Sequence, residues 1–184
     1  MRRRHFAFLI ILLCLAHPLT ATVLLPADFK DIVSGSQIIV HGRVVDVRAE
    51  WNQDRSQIES YVTVEPSSFY RGTPTSAVTF RVPGGQVGRY KQVTVGAPQF
   101  VPGEEAIVFL RGSGPSVPQV FGLSQGVFRV RVDQRTGQRT VILPILMARG
   151  PAAEPVSRGA RARQPLPIDA FTTQLRAAVQ GGGR

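Results

Sequence analysis

"IIVHGRVVDVR", residues 38–48, decides the fold. Ile38, Val40 and Val44 share one parity; Val45 and Val47 share the other. Successive side chains of a strand point to opposite faces, so this alternation reads as a strand with a buried side. The phase slips at the Val44–Val45 doublet, just after Gly42. A glycine beside a phase slip predicts a bulge or a sharp bend. The long first strands of small closed barrels bend in this way and serve both ends of the barrel.

The neighbouring segments extend the pattern. "IESYVTVE" (58–65) sets Ile58, Val62 and Val64 against Glu59, Thr63 and Glu65. "AVTFRV" (77–82) sets Val78, Phe80 and Val82 against Thr79 and Arg81. "KQVTV" (91–95) reads as a shorter strand, and "AIVFL" (106–110), apolar throughout, as a strand buried on both faces. "VFGLSQGVFRVRV" (120–132) reads as one long strand interrupted by two glycines. It continues through "DQRTG" into "QRTVIL" as a hairpin, with Gly137 placed for the left-handed position. About seven strands, parted by Gly/Pro turns and without a βαβ rhythm, predict an all-β fold. The expected form is a small antiparallel OB-like barrel over residues 22–147. A β-sandwich is the alternative, because strand counts alone do not separate the two.

Two helices flank these strands. In "LLPADFKDIVSGSQ", Phe29, Ile32 and Val33 share a helical face that Ser34-Gly35-Ser36 terminates. This short N-terminal helix is expected to plug a core. In "IDAFTTQLRAAV", Ile168, Phe171, Leu175 and Val179 form a stripe, Asp169 is positioned to cap, and Gly181 to Gly183 end the run. The expected C-terminal helix, 168–180, docks on the barrel or, alternatively, is offered to a partner. Residues 148–167 between them are rich in Pro, Ala and Arg and read as a linker. Its arginines, Arg149, Arg158, Arg161 and Arg163, are the candidate anion contacts.

Residues 1–21 have the layout of a secretory signal peptide: Arg2, Arg3 and Arg4, an apolar run from Phe6 to Leu15, then small and polar residues to Ala21. The apolar run is about 10 residues, against about 20 for a membrane helix. The expected protein is therefore exported, periplasmic or secreted, with no membrane span once the signal is removed. An uncleaved anchor is the alternative. Loss of this segment takes Cys14, the single cysteine, and His5 and His17 with it. No thiol remains for a disulfide, and His41 is the one imidazole left. The formal charge of +10 becomes +7 without the three arginines. Outside Lys30 and Lys91 every cation is arginine. A general Ala/Gly/Pro/Arg bias explains this better than an anion-binding purpose. The expected partner is an unknown protein or an acidic envelope component, with no nucleic acid.

Motifs that resemble catalytic signatures lack their context. "VPGGQVGRYKQ" (82–92) has neither the spacing of a P-loop nor a helix after it, so it reads as a connection between strands. "GLSQG" (122–126) matches the G-x-S-x-G elbow of serine hydrolases. The elbow needs a strand turning into a helix, and here "VFRVRV" follows. Its only available base is His41, upstream of Ser124. A hydrolase using Ser124 is thus the rival reading, and no catalytic residue is assigned. One imidazole without cysteine does not make a typical zinc site, so His41 is read as structural and no metal or cofactor is expected. "EWNQDR" (50–55) has Arg55 where a calcium loop needs glycine and reads as a polar hairpin turn. Glu104 and Glu105 are read as solvated turn charges.

"IIVHGRVVDV", "YVTVEPSSFYRG" and "VPGEEAIVFL", in that order and spacing, resemble the netrin-like or tissue-inhibitor-of-metalloproteinases type of OB-fold domain. The resemblance covers about residues 37–132. It implies an OB fold and a secreted, non-catalytic character. The inhibitors reach the protease metal through a mature N-terminal cysteine, which this chain lacks, so metalloprotease inhibition by that route does not transfer. The resulting expectation is an exported binding domain without an identified ligand. Its rivals are the Ser124 hydrolase and envelope adhesion through the linker arginines.

Overall fold

Apolar β-branched and phenylalanine side chains at every second position build most of this molecule. The computed structural model describes residues 25–112, 116–145, 147–149 and 165–181, with only the backbone given for 147–149. Along the chain run β1 (Ala27–Asp28), α1 (Phe29–Ser34), β2 (Ile38–Trp51), β3 (Ile58–Arg71), β4 (Val78–Pro83), β5 (Gly85–Val87) and β6 (Tyr90–Gln92). There follow β7 (Glu105–Arg111), β8 (Gln119–Val120), a 3₁₀ turn (Leu123–Gly126), β9 (Val127–Val132), β10 (Arg139–Ile142), β11 (Met147–Arg149), β12 (Leu166–Pro167) and α2 (Ile168–Gly181). Among the described residues no helix is long and apolar enough to cross a membrane.

Eight strands form one sheet in the order β12-β10-β9-β7-β2-β3-β4-β8. β8 also pairs with β7, which draws β7, β2, β3, β4 and β8 into a partial ring. The expectation of a wholly antiparallel barrel is corrected here. β8 runs parallel to β4, with Gln119 opposite Arg81, so the sheet is mixed and its ring partial. β1 and β11 pair in parallel, and β5 and β6 make a separate antiparallel hairpin.

β2 bends where the sequence slips. Its register with β3 shifts at Ile39/Val40, at His41/Gly42 and between Val44 and Asp46. The last shift leaves Val45 out of the ladder, 47% exposed. The extra residue of a bulge curls the strand, which a ring requires. Gly42 allows β3 to close in: a Cβ there would stand 2.3 Å from the Glu65 carbonyl oxygen.

β7 separates two cores. Ile107 and Phe109 face a core shared with Phe29, Phe128, Phe171 and Leu175. Ala106, Val108 and Leu110 face the interior of the ring, with Val62, Val64 and Phe80. The expected double burial of this strand is observed. Both helices pack on the first core: α1 through Phe29, Ile32 and Val33, and α2 through Ile168, Phe171 and Leu175. Arg71 of β3 donates to the carbonyl oxygens of Val33 and, at 2.9 Å, Ser36, which satisfies the end of α1.

Three local expectations change. Val93 and Val95 are 69% and 92% exposed, and only Tyr90–Gln92 of that region is strand. Residues 120–132 are two strands parted by the 3₁₀ turn rather than one strand. Asp169 lies inside the first turn of α2, not at its cap; its carbonyl oxygen accepts from the hydroxyls of Thr172 and Thr173. Gly137 does take the left-handed conformation in the β9–β10 hairpin, at φ 69°. The expected boundary at 147/148 falls inside β11, and Leu166–Pro167 pairs with β10. Residues 1–21 lie outside the described residues.

Candidate functional site

β2 brings His41 opposite Ile107 of β7, one residue pair from Glu105 on its strand face. The imidazole is buried, and its Nε2–H donates to Glu105 Oε1 at 2.6 Å. Arg139 of β10 pairs with the same carboxylate oxygen. Burial holds the His41 pKa below its usual value; the bond and charge of Glu105 oppose this, and the charge of Arg139 adds to it. Tyr70 lies nearby, with its pKa raised by burial and Arg176 over its ring at 5.6 Å. A neutral histidine on a carboxylate is two parts of a triad. Among the described residues no serine or threonine hydroxyl bonds to the ring. A polar groove opens beside it, lined by Gly42, Arg43, Glu65, Pro66, Ser67 and Glu105.

Glu104 and Glu105 are not solvated turn charges. Each side chain is 16% exposed, Glu104 pairing with Arg129 and Glu105 with His41 and Arg139. The doublet fastens the start of β7 to arginines of two other strands, Arg129 of β9 and Arg139 of β10.

Ser124 sits in the 3₁₀ turn, which feeds β9 and not a helix. Gly122 and Leu123 before it both take left-handed φ, 52° and 57°. The chemically engaged residue of "GLSQG" is Gln125. Its buried Oε1 accepts from Ala27 N at 2.6 Å, and its Nε2 donates to Leu25 O at 3.2 Å. This turn therefore clamps the chain that leads into α1.

Of the candidate anion contacts, the backbone of Arg149 is in β11, opposite Asp28 of β1, where the register shifts. Arg158, Arg161 and Arg163 lie outside the described residues. "EWNQDR" is the polar turn expected: Asp54 Oδ1 accepts from Ser56 and Asn52 Oδ1 from Gln57 N. No group of three or more His, Cys, Asp or Glu side chains among the described residues is placed to hold a metal ion.

The exposed chemistry gathers at the far end of the β2–β3 hairpin. The β5–β6 hairpin is seated on it by three bonds. Gly84 N donates to Ile58 O, Ser60 Oγ to Gly84 O, and Ile58 N to Gln92 Oε1, each at 2.8 Å. Gly85 makes the seat possible. At φ 142° a Cβ would lie 2.5 Å from Ser60 Oγ and 2.8 Å from the Ala49 methyl. The result is a contact between Trp51 and Tyr90, rings 5.7 Å apart and at 68°. Trp51 is 36% exposed and Tyr90 51%. Arg89 lies 5.1 Å from the Tyr90 centroid and bonds its hydroxyl at 3.0 Å. On the same hairpin, Gln57 and Glu59 with Arg81 and Gln119 line a cleft of about 270 Å³. Arg81 pairs with Glu59 at 2.7 Å. The Trp51–Tyr90 pair was not singled out by motif, but the signal was present: the one tryptophan of the chain stands at the edge of a polar stretch, and Tyr90 stands between Arg89 and Lys91.

No family model, curated protein or solved structure matches this chain.

Proposed function

We propose that this chain is an exported, non-catalytic binding module of OB-like architecture that meets its partner at the end of the β2–β3 hairpin. The observation that carries the reading is the Trp51–Tyr90 pair, left half-open to solvent on a seat built by specific bonds and a glycine. Exposed aromatics beside arginine are the residue types that dominate binding energetics. By contrast, His41, Glu105, Gln125 and Arg71 are all engaged in holding elements together. The circuit β7-β2-β3-β4-β8 supports the OB-like reading, because an OB fold is a five-stranded, partly open barrel. The signal-like layout of residues 1–21 supports export.

The test is retention of envelope and medium fractions on the immobilised chain, beside a W51A/Y90A variant. The reading expects material held by the wild type and released by the variant. Equal retention by both would move the binding surface elsewhere. The hydrolase rival is tested with short-chain esters: turnover abolished by Ser124→Ala would replace this reading.

A further inference from the structure

We propose that the Trp51–Tyr90 corner is a subsite for an acidic polysaccharide, a uronate-type chain whose sugar rings pack on the open aromatic surface and whose carboxylates pair with Arg89. This rests on the binding-module reading and names its ligand class.

Three observations point to it. First, the two rings are preorganised, so little ordering is needed on binding: β5 and β6 are pinned to the long hairpin through Ile58, Ser60, Gly84 and Gln92. Second, the chemistry matches. The face of an aromatic ring is electronegative, and the C–H groups on the flat side of a pyranose are its complement. Arginine binds carboxylate through its planar fork. Arg89 is exposed beside Tyr90, and among the described residues it is not paired with a carboxylate; Lys91, the next residue of β6 after Tyr90, faces the other way. Third, the angle discriminates. Single-stranded nucleic acid is bound by successive stacking faces along a continuous cationic groove. Here the rings stand edge to face at 68° rather than stacked in succession. A glycan turns between successive sugars, so an angled pair of faces suits it.

Trp51 is the single tryptophan of the chain, so its fluorescence reports the site directly. The experiment titrates the full chain with polygalacturonate, with its fully methyl-esterified form and with oligo-dT. The expected result is a Trp51 fluorescence change that saturates with polygalacturonate and weakens as salt is raised. Tyr90→Ala is expected to weaken that binding by about tenfold or more, in the range of aromatic anchors. Arg89→Ala is expected to reduce polygalacturonate binding to the level of the neutral ester. Both sites are exposed, and an unchanged thermal midpoint verifies that each variant is folded. Equal affinity for acidic and esterified polymers, indifference to Tyr90→Ala, or tighter binding of oligo-dT would overturn the proposal. If no polyuronate binds while envelope material is still retained in a W51A/Y90A-sensitive way, the ligand class is wrong and the module reading stands. If neither occurs, both fall.

Discussion

The two cores on either side of β7 are built from different residues. The helix-backed core joins Phe29, Phe109, Phe128 and Phe171 through five ring contacts, with centroid separations from 4.9 to 6.2 Å. The ring interior is mostly valine, with one aromatic pair, Phe80 and Phe100, at 5.3 Å. Geometry accounts for the contrast. A sheet curled on itself brings its own strands close, and β-branched side chains fill a narrow interior without rotamer strain. A helix is a rod about 10 Å across, so the space beneath it is wide and needs large rings. Each core thus carries the side chains that its enclosing layers leave room for.

The sharpest test of this contrast is a pair of truncations. Phe128→Ala removes the ring that touches Phe29, Phe109 and Phe171, and should cost ~3–5 kcal/mol in urea denaturation. Val62→Ala, equally buried in the ring, should cost ~2 kcal/mol. Equal costs would mean that the two cores do not differ energetically. Next in size is Gly42→Ala. Its methyl group meets the Glu65 carbonyl oxygen at the bend of β2, so ~2–3 kcal/mol of stability should be lost and β2–β3 amides should exchange faster. A neutral result would show that the ring does not depend on that close approach.

The third test concerns how the helical layer is fastened. Gln125→Ala unpairs the Ala27 amide before α1 and should cost ~1–3 kcal/mol, whereas Ser124→Ala, one residue away, should cost under ~1 kcal/mol. The reverse order would remove the structural account of this turn. The smallest effect is a pH slope. The His41 pKa is lowered by burial, so between the folded value and the ordinary 6.5 the unfolded chain binds more protons than the folded one. Stability is then full above 6.5 and declines as pH falls toward the folded value. His41→Gln should flatten the decline between roughly pH 7.5 and 5, a window above the ordinary carboxylate range. A slope unchanged by that substitution would place the titration elsewhere.

Much of this framework was legible because it is periodic. Alternation at Val62 and Val64, and at Val78, Phe80 and Val82, named residues that fill the ring, and Ile58 of the same pattern is buried outside it. The Val44–Val45 doublet marked a real break in the ladder, since a slip of one residue must reverse the faces. The stripe of α2 named its buried side. "KQVTV" misled because β-branched residues favour extended backbone without requiring a partner strand. β8, only two residues long, carries no periodicity, so the pairing that bends the sheet into a ring left no trace in the pattern. The long-range polar bonds were hidden for a related reason. Arg71 to α1, Gln125 to Ala27 and the Glu104–Glu105 pairings join residues far apart in sequence, and nothing local marks either partner.

The double burial of β7 has an experimental consequence. Ile107 and Val108 are joined by one peptide bond, yet they belong to separate apolar compartments. A probe at either position, a labelled methyl group for instance, would register events on one side while its immediate neighbour stays silent. Single-residue spacing along five consecutive positions is therefore enough to ask whether the two halves of this protein melt together or one before the other.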